Sequence, residues 1–164
     1  MNALVSRAKA FAIARHADQR YGDEPYAVHL AAVEQILIDF GFVADHWRAA
    51  AWLHDVIEDT GTTWEYLDME FGHLVADMVL AVTGEGKSRG ERVSSILAKL
   101  CLKPALCPLK VADRIANVEA SASSPRHLQM YRLEQPSFAR VCQAEVPVVM
   151  WERLERALGV GIPA

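Results

Sequence analysis

The run Ala50-Ala51-Trp52-Leu53-His54-Asp55-Val56-Ile57-Glu58-Asp59-Thr60 sets ionisable groups into an otherwise apolar helical pattern. A carboxylate buried there demands a partner, because a lone ionised group carries a large desolvation penalty unless it is paired, hydrogen-bonded or bound to a metal. Successive residues of a helix lie about 100° apart, so His54 and Asp55 do not face each other, yet both can converge on an ion seated over the edge between them. If the helix persists another turn, Glu58 follows His54 by four residues and Asp59 follows Asp55 by four. That spacing brings a second pair of carboxylates beside the ion, where they can position water.

Two further ligands are expected from elsewhere in the chain. His29 falls in the first turns of a second helix, and Asp113 interrupts the apolar run Leu109-Lys110-Val111-Ala112-Asp113-Arg114-Ile115. Asn117 lies four residues beyond Asp113 on the same face, where its amide can hold a substrate hydroxyl or a phosphate oxygen. A two-His, two-Asp set with open positions suits a hydrolytic Mn²⁺, Fe²⁺ or Zn²⁺. The plainer alternative makes His54-Asp55 the end of a core helix with local hydrogen bonds and Glu58-Asp59 its solvated edge. Recurrence of ionisable positions on three apolar helices weighs against it.

The elements that must position these residues read as all-α, in about eight to ten helices. A first helix is expected from Ala3 to Arg20, broken by Gly22 and Pro25, and a second from Tyr26 to the glycine after Phe40. A third runs from Asp45 to Ile57. Thr62 with Glu65 forms a capping-box pattern opening a short helix that stops at Phe71-Gly72, and another spans Leu74 to Val82. Gly84 to Gly90 reads as a loop. Glu91 to Leu102 and Ala105 to Ser121 look helical, divided by Pro104; Ser124-Pro125 suits an N-cap and first turn. A long amphipathic element from Ser137 to Leu158, kinked at Pro147, closes the chain.

Ala81-Val82-Thr83-Gly84-Glu85-Gly86-Lys87-Ser88 loosely imitates a phosphate-binding P-loop, but it follows helical rather than strand-like sequence and has alanine for the first glycine. Lys87, Arg89 and Arg92 are nonetheless the densest basic cluster in an acidic protein and suit an anionic substrate.

Composition bounds the partners. The 164 residues, 52% apolar, suit one globular domain over 1–164. A net charge of −4 and a pI near 5.8 argue against general nucleic-acid binding, so any phosphate site must be local. Cys101, Cys107 and Cys142 lack disulfide-framework or zinc-knuckle spacing, which fits a reducing cytoplasm. With no eighteen-residue apolar run and no signal-like N-terminus, neither a membrane span nor export is expected.

The stretches Pro25-Tyr26-Ala27-Val28-His29, Ala51 to Thr60, Phe71-Gly72, Val82-Thr83 and Leu109 to Asn117 resemble the hydrolase domain of RelA/SpoT-type proteins in the HD superfamily, in particular the small alarmone hydrolases. The resemblance covers about three quarters of the chain. It implies an HD-domain helical bundle in which His29, His54, Asp55 and Asp113 hold Mn²⁺, Glu58 and Asp59 form the catalytic acidic pair, and Arg20, Arg89, Asn117 and Tyr131 contact substrate. It further implies removal of the 3′-pyrophosphate of ppGpp or pppGpp to return GDP or GTP. Tyr131 reads equally well as a helix-surface aromatic. The chain departs from the family pattern in Arg20-Tyr21, where a basic pair is usual, in His29-Leu30 for a His-Pro step, and in Glu119-Ala120 after the asparagine. Those changes leave the metal set intact and keep an adenine alarmone open. Other readings are a nucleoside monophosphatase, an NADPH phosphatase, or a catalytically silent nucleotide-binding module.

Overall fold

The computed structural model describes residues 3–160. Among these, α1 spans Ala3–Arg15, α2 Ala27–Asp39, α3 Asp45–Leu53, α4 Val56–Thr60 and α5 Trp64–Phe71. They are followed by α6 His73–Val82, α7 Arg89–Leu102, α8 Cys107–Ala120, α9 Pro125–Cys142 and α10 Val148–Leu158. The all-α expectation holds, with one small antiparallel hairpin of β1 (Arg20–Tyr21) and β2 (Glu24–Pro25).

The core forms two apolar groups that share α2, α3 and α6. Val5, Ala8, Leu30, Trp52, Leu67 and Val79 centre one; Leu37, Leu100, Leu109, Ile115, Met150 and Leu154 centre the other. Helix α3 lies between them, so Ala49 through Leu53 are all buried. Glu34 on α2 pins it: its carboxylate accepts from Arg48 Nε at 2.9 Å and from Trp52 Nε1 at 2.7 Å. The C-terminal end of α3, which carries His54, is thereby fixed at the centre of the molecule.

Several boundaries differ from expectation. The first helix stops at Arg15 rather than Arg20, because the chain turns at His16–Asp18 and reverses through Gly22, whose φ of 62° favours glycine. The third helix does not continue to Ile57. Asp55 has φ −103° and ψ −3°, away from helical values, and a new helix begins after it. Thr63, not Thr62, caps α5: its hydroxyl accepts from Tyr66 N–H at 3.2 Å, while Thr62 is buried and paired with the Thr60 hydroxyl.

Ser88 caps α7 in a full capping box with Glu91, so the loop ends at Ser88 and Gly90 is helical. This loop follows α6, not a strand, which removes the context a P-loop needs. The long closing element is two helices. Helix α9 starts at Pro125 and runs through Pro136, and it is separated from α10 by a 3₁₀ turn over Gln143–Glu145 and an extended Val146. Proline disfavours the helical region for the residue before it, so Pro147 ends the turn and opens α10 instead of kinking one helix.

With Thr63 as the cap of α5, Thr63→Ala should lower unfolding stability by about 1 kcal/mol in urea titration while Thr63→Ser retains most of it.

Candidate active site

Three helices and one helix junction bring the four candidate ligand side chains together. His29 comes from α2, His54 from the end of α3, Asp55 from the α3–α4 junction and Asp113 from α8. The two Nε2 atoms are 3.3 Å apart. Asp55 Oδ2 lies 2.8 Å from His54 Nε2 and 3.6 Å from His29 Nε2, and Asp113 Oδ1 lies 3.3 Å from His29 Nε2 and 3.5 Å from His54 Nε2. Donors bound about 2.0–2.2 Å from one divalent ion sit about 3.0–3.4 Å from each other, so the spacing of His29, His54 and Asp55 fits a shared cation, with Asp113 against both imidazoles. The break at Asp55 makes the fit possible, since it turns a carboxylate adjacent in sequence onto the same point as His54.

The chemistry of the donor set agrees. His54 Nδ1–H donates to the Ala51 carbonyl at 2.8 Å, which leaves Nε2 to face the cluster as a ligand nitrogen. Both histidines are 1% exposed. Burial opposes protonation of His54, but the carboxylates of Asp55 and Asp113 outweigh it and push its pKa up to about 10. Burial likewise opposes protonation of His29, and the same carboxylates raise it. Burial would raise the Asp55 carboxyl, yet the imidazoles of His54 and His29 hold it well below the usual carboxylate range. Asp113 is depressed in the same way by Lys110 and both histidines. Protons and a divalent cation compete for one nest of lone pairs.

Each carboxylate has its own outer donors. The Tyr26 hydroxyl donates to Asp55 Oδ2 at 2.5 Å, and burial with the Asp55 charge raises the phenol's pKa far above its ordinary value. Lys110 Nζ donates to Asp113 Oδ2 at 2.6 Å, and Asn117 Nδ2 donates to Asp113 Oδ1 at 2.6 Å. The Tyr21 hydroxyl donates in turn to Asn117 Oδ1 at 3.1 Å. Asn117, expected on substrate, is thus engaged with a metal-site carboxylate while still lining the pocket.

A cleft opens from this cluster, lined among others by Glu58, Asp59, Arg89, Arg92, Lys110 and Tyr131. Glu58 Oε2 accepts from Gly84 N–H at 2.8 Å and Oε1 lies 3.5 Å from Arg92 Nε. Glycine is required at 84: a Cβ there would meet Arg92 Cβ at 2.7 Å and Glu58 Oε2 at 3.2 Å. Asp59 Oδ2 accepts from Gln19 Nε2 at 2.8 Å. Arg89 forks onto Glu134 at 2.6 and 3.2 Å, and Arg114 reaches the same carboxylate at 3.0 Å. Both guanidinium groups stand over the Tyr131 ring, at 5.2 and 5.1 Å from its centroid. Arg20 is exposed in β1 and is not among the residues lining the cleft, and Lys87 is exposed on the α6–α7 loop outside it.

Sequence reasoning missed Tyr26, Lys110 and Glu134. Lys110 was within reach, because it precedes Asp113 by three residues on one helix face. Glu134 was not, since its partners lie 45 and 20 residues away. Metal analysis of protein purified without chelator should find retained divalent metal in wild type and its loss in His29→Ala and Asp113→Ala. Calorimetric titration of Mn²⁺ at neutral pH in buffers of different ionisation enthalpy should show proton release. Affinity should strengthen as pH rises toward about 10, because fewer protons then hold His54.

Residues 8–100 match the HD domain family. The chain is 36% identical over 122 residues to a guanosine-3′,5′-bis(diphosphate) 3′-pyrophosphohydrolase of Aquifex aeolicus, covering 70% of this chain and 17% of that protein. It is 35% identical over 123 residues to the guanosine-3′,5′-bis(diphosphate) 3′-pyrophosphohydrolase MESH1 of Xenopus tropicalis, covering 71% of this chain and 68% of that one. It spans 17% of the length of the long bacterial relatives it matches. A solved structure described as a metazoan ortholog of SpoT that hydrolyzes ppGpp superposes with a TM-score of 0.83 at 21% identity, over 98% of this chain and 96% of that one, and shares its fold. With the paired histidines and aspartates in place, the chain belongs to the HD domain family, in the branch that contains the MESH1 proteins.

Proposed function

We propose that residues 1–164 act as one metal-dependent phosphohydrolase domain that removes the 3′-pyrophosphate of ppGpp, pppGpp or a related adenine alarmone. The observation that carries this reading is the grouping of His29, His54 and Asp55, with Asp113 against both imidazoles, beside a cleft that also presents Glu58, Asp59 and a set of cations. The names of the relatives supply the substrate class. Water adds its oxygen to the phosphorus bonded to ribose O3′, the P–O3′ bond breaks, O3′ leaves with a proton, and the products are pyrophosphate and GDP or GTP, or ADP or ATP from an adenine alarmone. A divalent ion, Mn²⁺ in this reading, would be held by the four ligands, where it lowers the pKa of water and polarises a phosphoryl oxygen.

The chain's own residues do the remaining work. Asp59 has one carboxylate oxygen on Gln19 and, among the described residues, no hydrogen-bond partner on the other, which suits it to accept the proton of water. Glu58, held by Gly84 and Arg92, orients that water from the neighbouring position on α4. Arg89, Arg92 and Lys110 offset the charge of the diphosphate, with Arg89 kept extended over the cleft by Glu134. Tyr131 presents an aromatic ring in the same cleft, a surface for the base. Arg20 remains a proposed contact at the hairpin. Among the described residues no helix is long and apolar enough to cross a membrane, and Cys101, Cys107 and Cys142 are unpaired. In this reading the domain acts in the cytoplasm on a small nucleotide, without nucleic-acid or membrane partners.

Purified protein with Mn²⁺ should release pyrophosphate from ppGpp when tested against ppApp, NADPH and nucleoside monophosphates. Orthophosphate from NADPH or a monophosphate, with no pyrophosphate from either alarmone, overturns the reading. Glu58→Ala and Asp59→Ala should keep their metal and lose about 10²–10⁴-fold in kcat; loss of metal from Glu58→Ala makes that residue a ligand instead.

A further inference from the structure

Behind the cleft, a hydrogen-bonded chain leads from a buried imidazole to Asp59. His16 Nδ1 lies 2.7 Å from Gln19 Oε1, and Gln19 Nε2 lies 2.8 Å from Asp59 Oδ2. The backbone makes this local: α1 ends at Arg15, Gln19 N–H donates to the His16 carbonyl at 2.9 Å, and the tight turn sets both side chains on one side. Gln19 is itself braced, because its carbonyl accepts from Tyr26 N–H at 3.2 Å where the hairpin closes.

The orientation of every group in the chain follows from Asp59. A carboxylate accepts, so the amide must present Nε2 to it, and Oε1 then faces His16. The imidazole must therefore donate from Nδ1. Its Nε2 is left buried without a hydrogen-bond partner, on a ring only 4% exposed. That ring also stacks on Tyr26, with centroids 4.7 Å apart and planes at 27°. A phenylalanine would make the same stack without an unpartnered buried atom, which is unfavourable. What histidine adds over phenylalanine at this place is the Nδ1 donor.

Asp59 gains from being held. It lies on the five-residue helix α4, is exposed, and lines the cleft, so without a partner its carboxylate would sample several rotamers. We propose that His16 and Gln19 are positioning residues that hold Asp59 in the rotamer that receives a proton from water. The same imidazole braces Tyr26, whose hydroxyl is bonded to Asp55, so one buried ring supports both the metal site and the acidic pair. This inference rests on the role given to Asp59 above.

Steady-state kinetics on the substrate found for the wild type test it. Gln19→Leu should lower kcat about tenfold with KM changed less than about twofold and metal content unchanged. His16→Phe keeps the stack, loses the donor and should fall to the same level. His16→Asn places an amide N–H near the position of Nδ1 and should restore most of that loss. The double variant His16→Phe with Gln19→Leu should be no slower than either single change, as expected for members of one chain. Additive losses, a His16→Asn variant as slow as His16→Phe, or an effect confined to KM or metal content would overturn the proposal.

A readout independent of turnover is the Gln19 side-chain amide in ¹H–¹⁵N spectra. Both Asp59→Ala and His16→Phe should shift it, and an unmoved signal overturns the chain of contacts whatever the substrate proves to be. Absence of alarmone hydrolysis by wild type, with the amide shifting as expected, overturns only the proposed substrate.

Discussion

The structure depends on one electrostatic constraint: two imidazole nitrogens must be held 3.3 Å apart in a largely buried place, with a carboxylate oxygen of Asp55 and one of Asp113 each within 3.6 Å of both. Like partial charges at that range repel unless protons or a cation lie between them, and burial strengthens both the repulsion and its cure. No single helix can supply such a nest. Two core groups instead grip α3 from both sides, Glu34 locks it to α2, and α8 packs across α2 to deliver Asp113. The hydrophobic core is what makes an unfavourable convergence of polar atoms persist.

Around that nest the polar groups divide their work by distance from it. Tyr26, Lys110 and Asn117 bond directly to the two carboxylates and fix which oxygen faces the ligand point. Arg89, Arg114 and Glu134 form a separate unit drawn from three helices, in which one carboxylate compensates two guanidinium groups and the Tyr131 ring lies against both. Burial works against the charged form of Glu134, but the two arginines keep it below the usual carboxylate range. The cations are thus ordered before any anion arrives, which reduces the entropy lost on binding.

The α6–α7 loop is tied to the same centre. Glu58 binds its backbone at Gly84, Lys99 Nζ donates to the Thr83 carbonyl at 2.6 Å and to Glu85, and the Ser88–Glu91 capping box fixes the start of α7. The segment that imitates a P-loop is therefore a cinched connection that aims Arg89 and Arg92, and its glycine at 84 serves close packing against Glu58 and Arg92.

The candidate ligands were legible in the chain because burying an ionisable residue is costly: His54, Asp55 and Asp113 stand out against apolar helical periods, and that contrast is a property of local sequence. The helical class and most helix starts were legible for the same reason. Long-range pairing was not. Nothing near Glu134 announces Arg89 and Arg114, and nothing near Asp55 announces the Tyr26 hydroxyl, because such contacts are chosen by how helices pack. Where the helix breaks at Asp55 was also decided there, since local propensity favoured continuity and only convergence with His29 and Asp113 rewards the interruption. Residue types along the chain limit which side chains are able to bind a cation or move a proton; packing across distant helices selects which of them meet, because close approach is a property of the folded core and not of spacing along the chain.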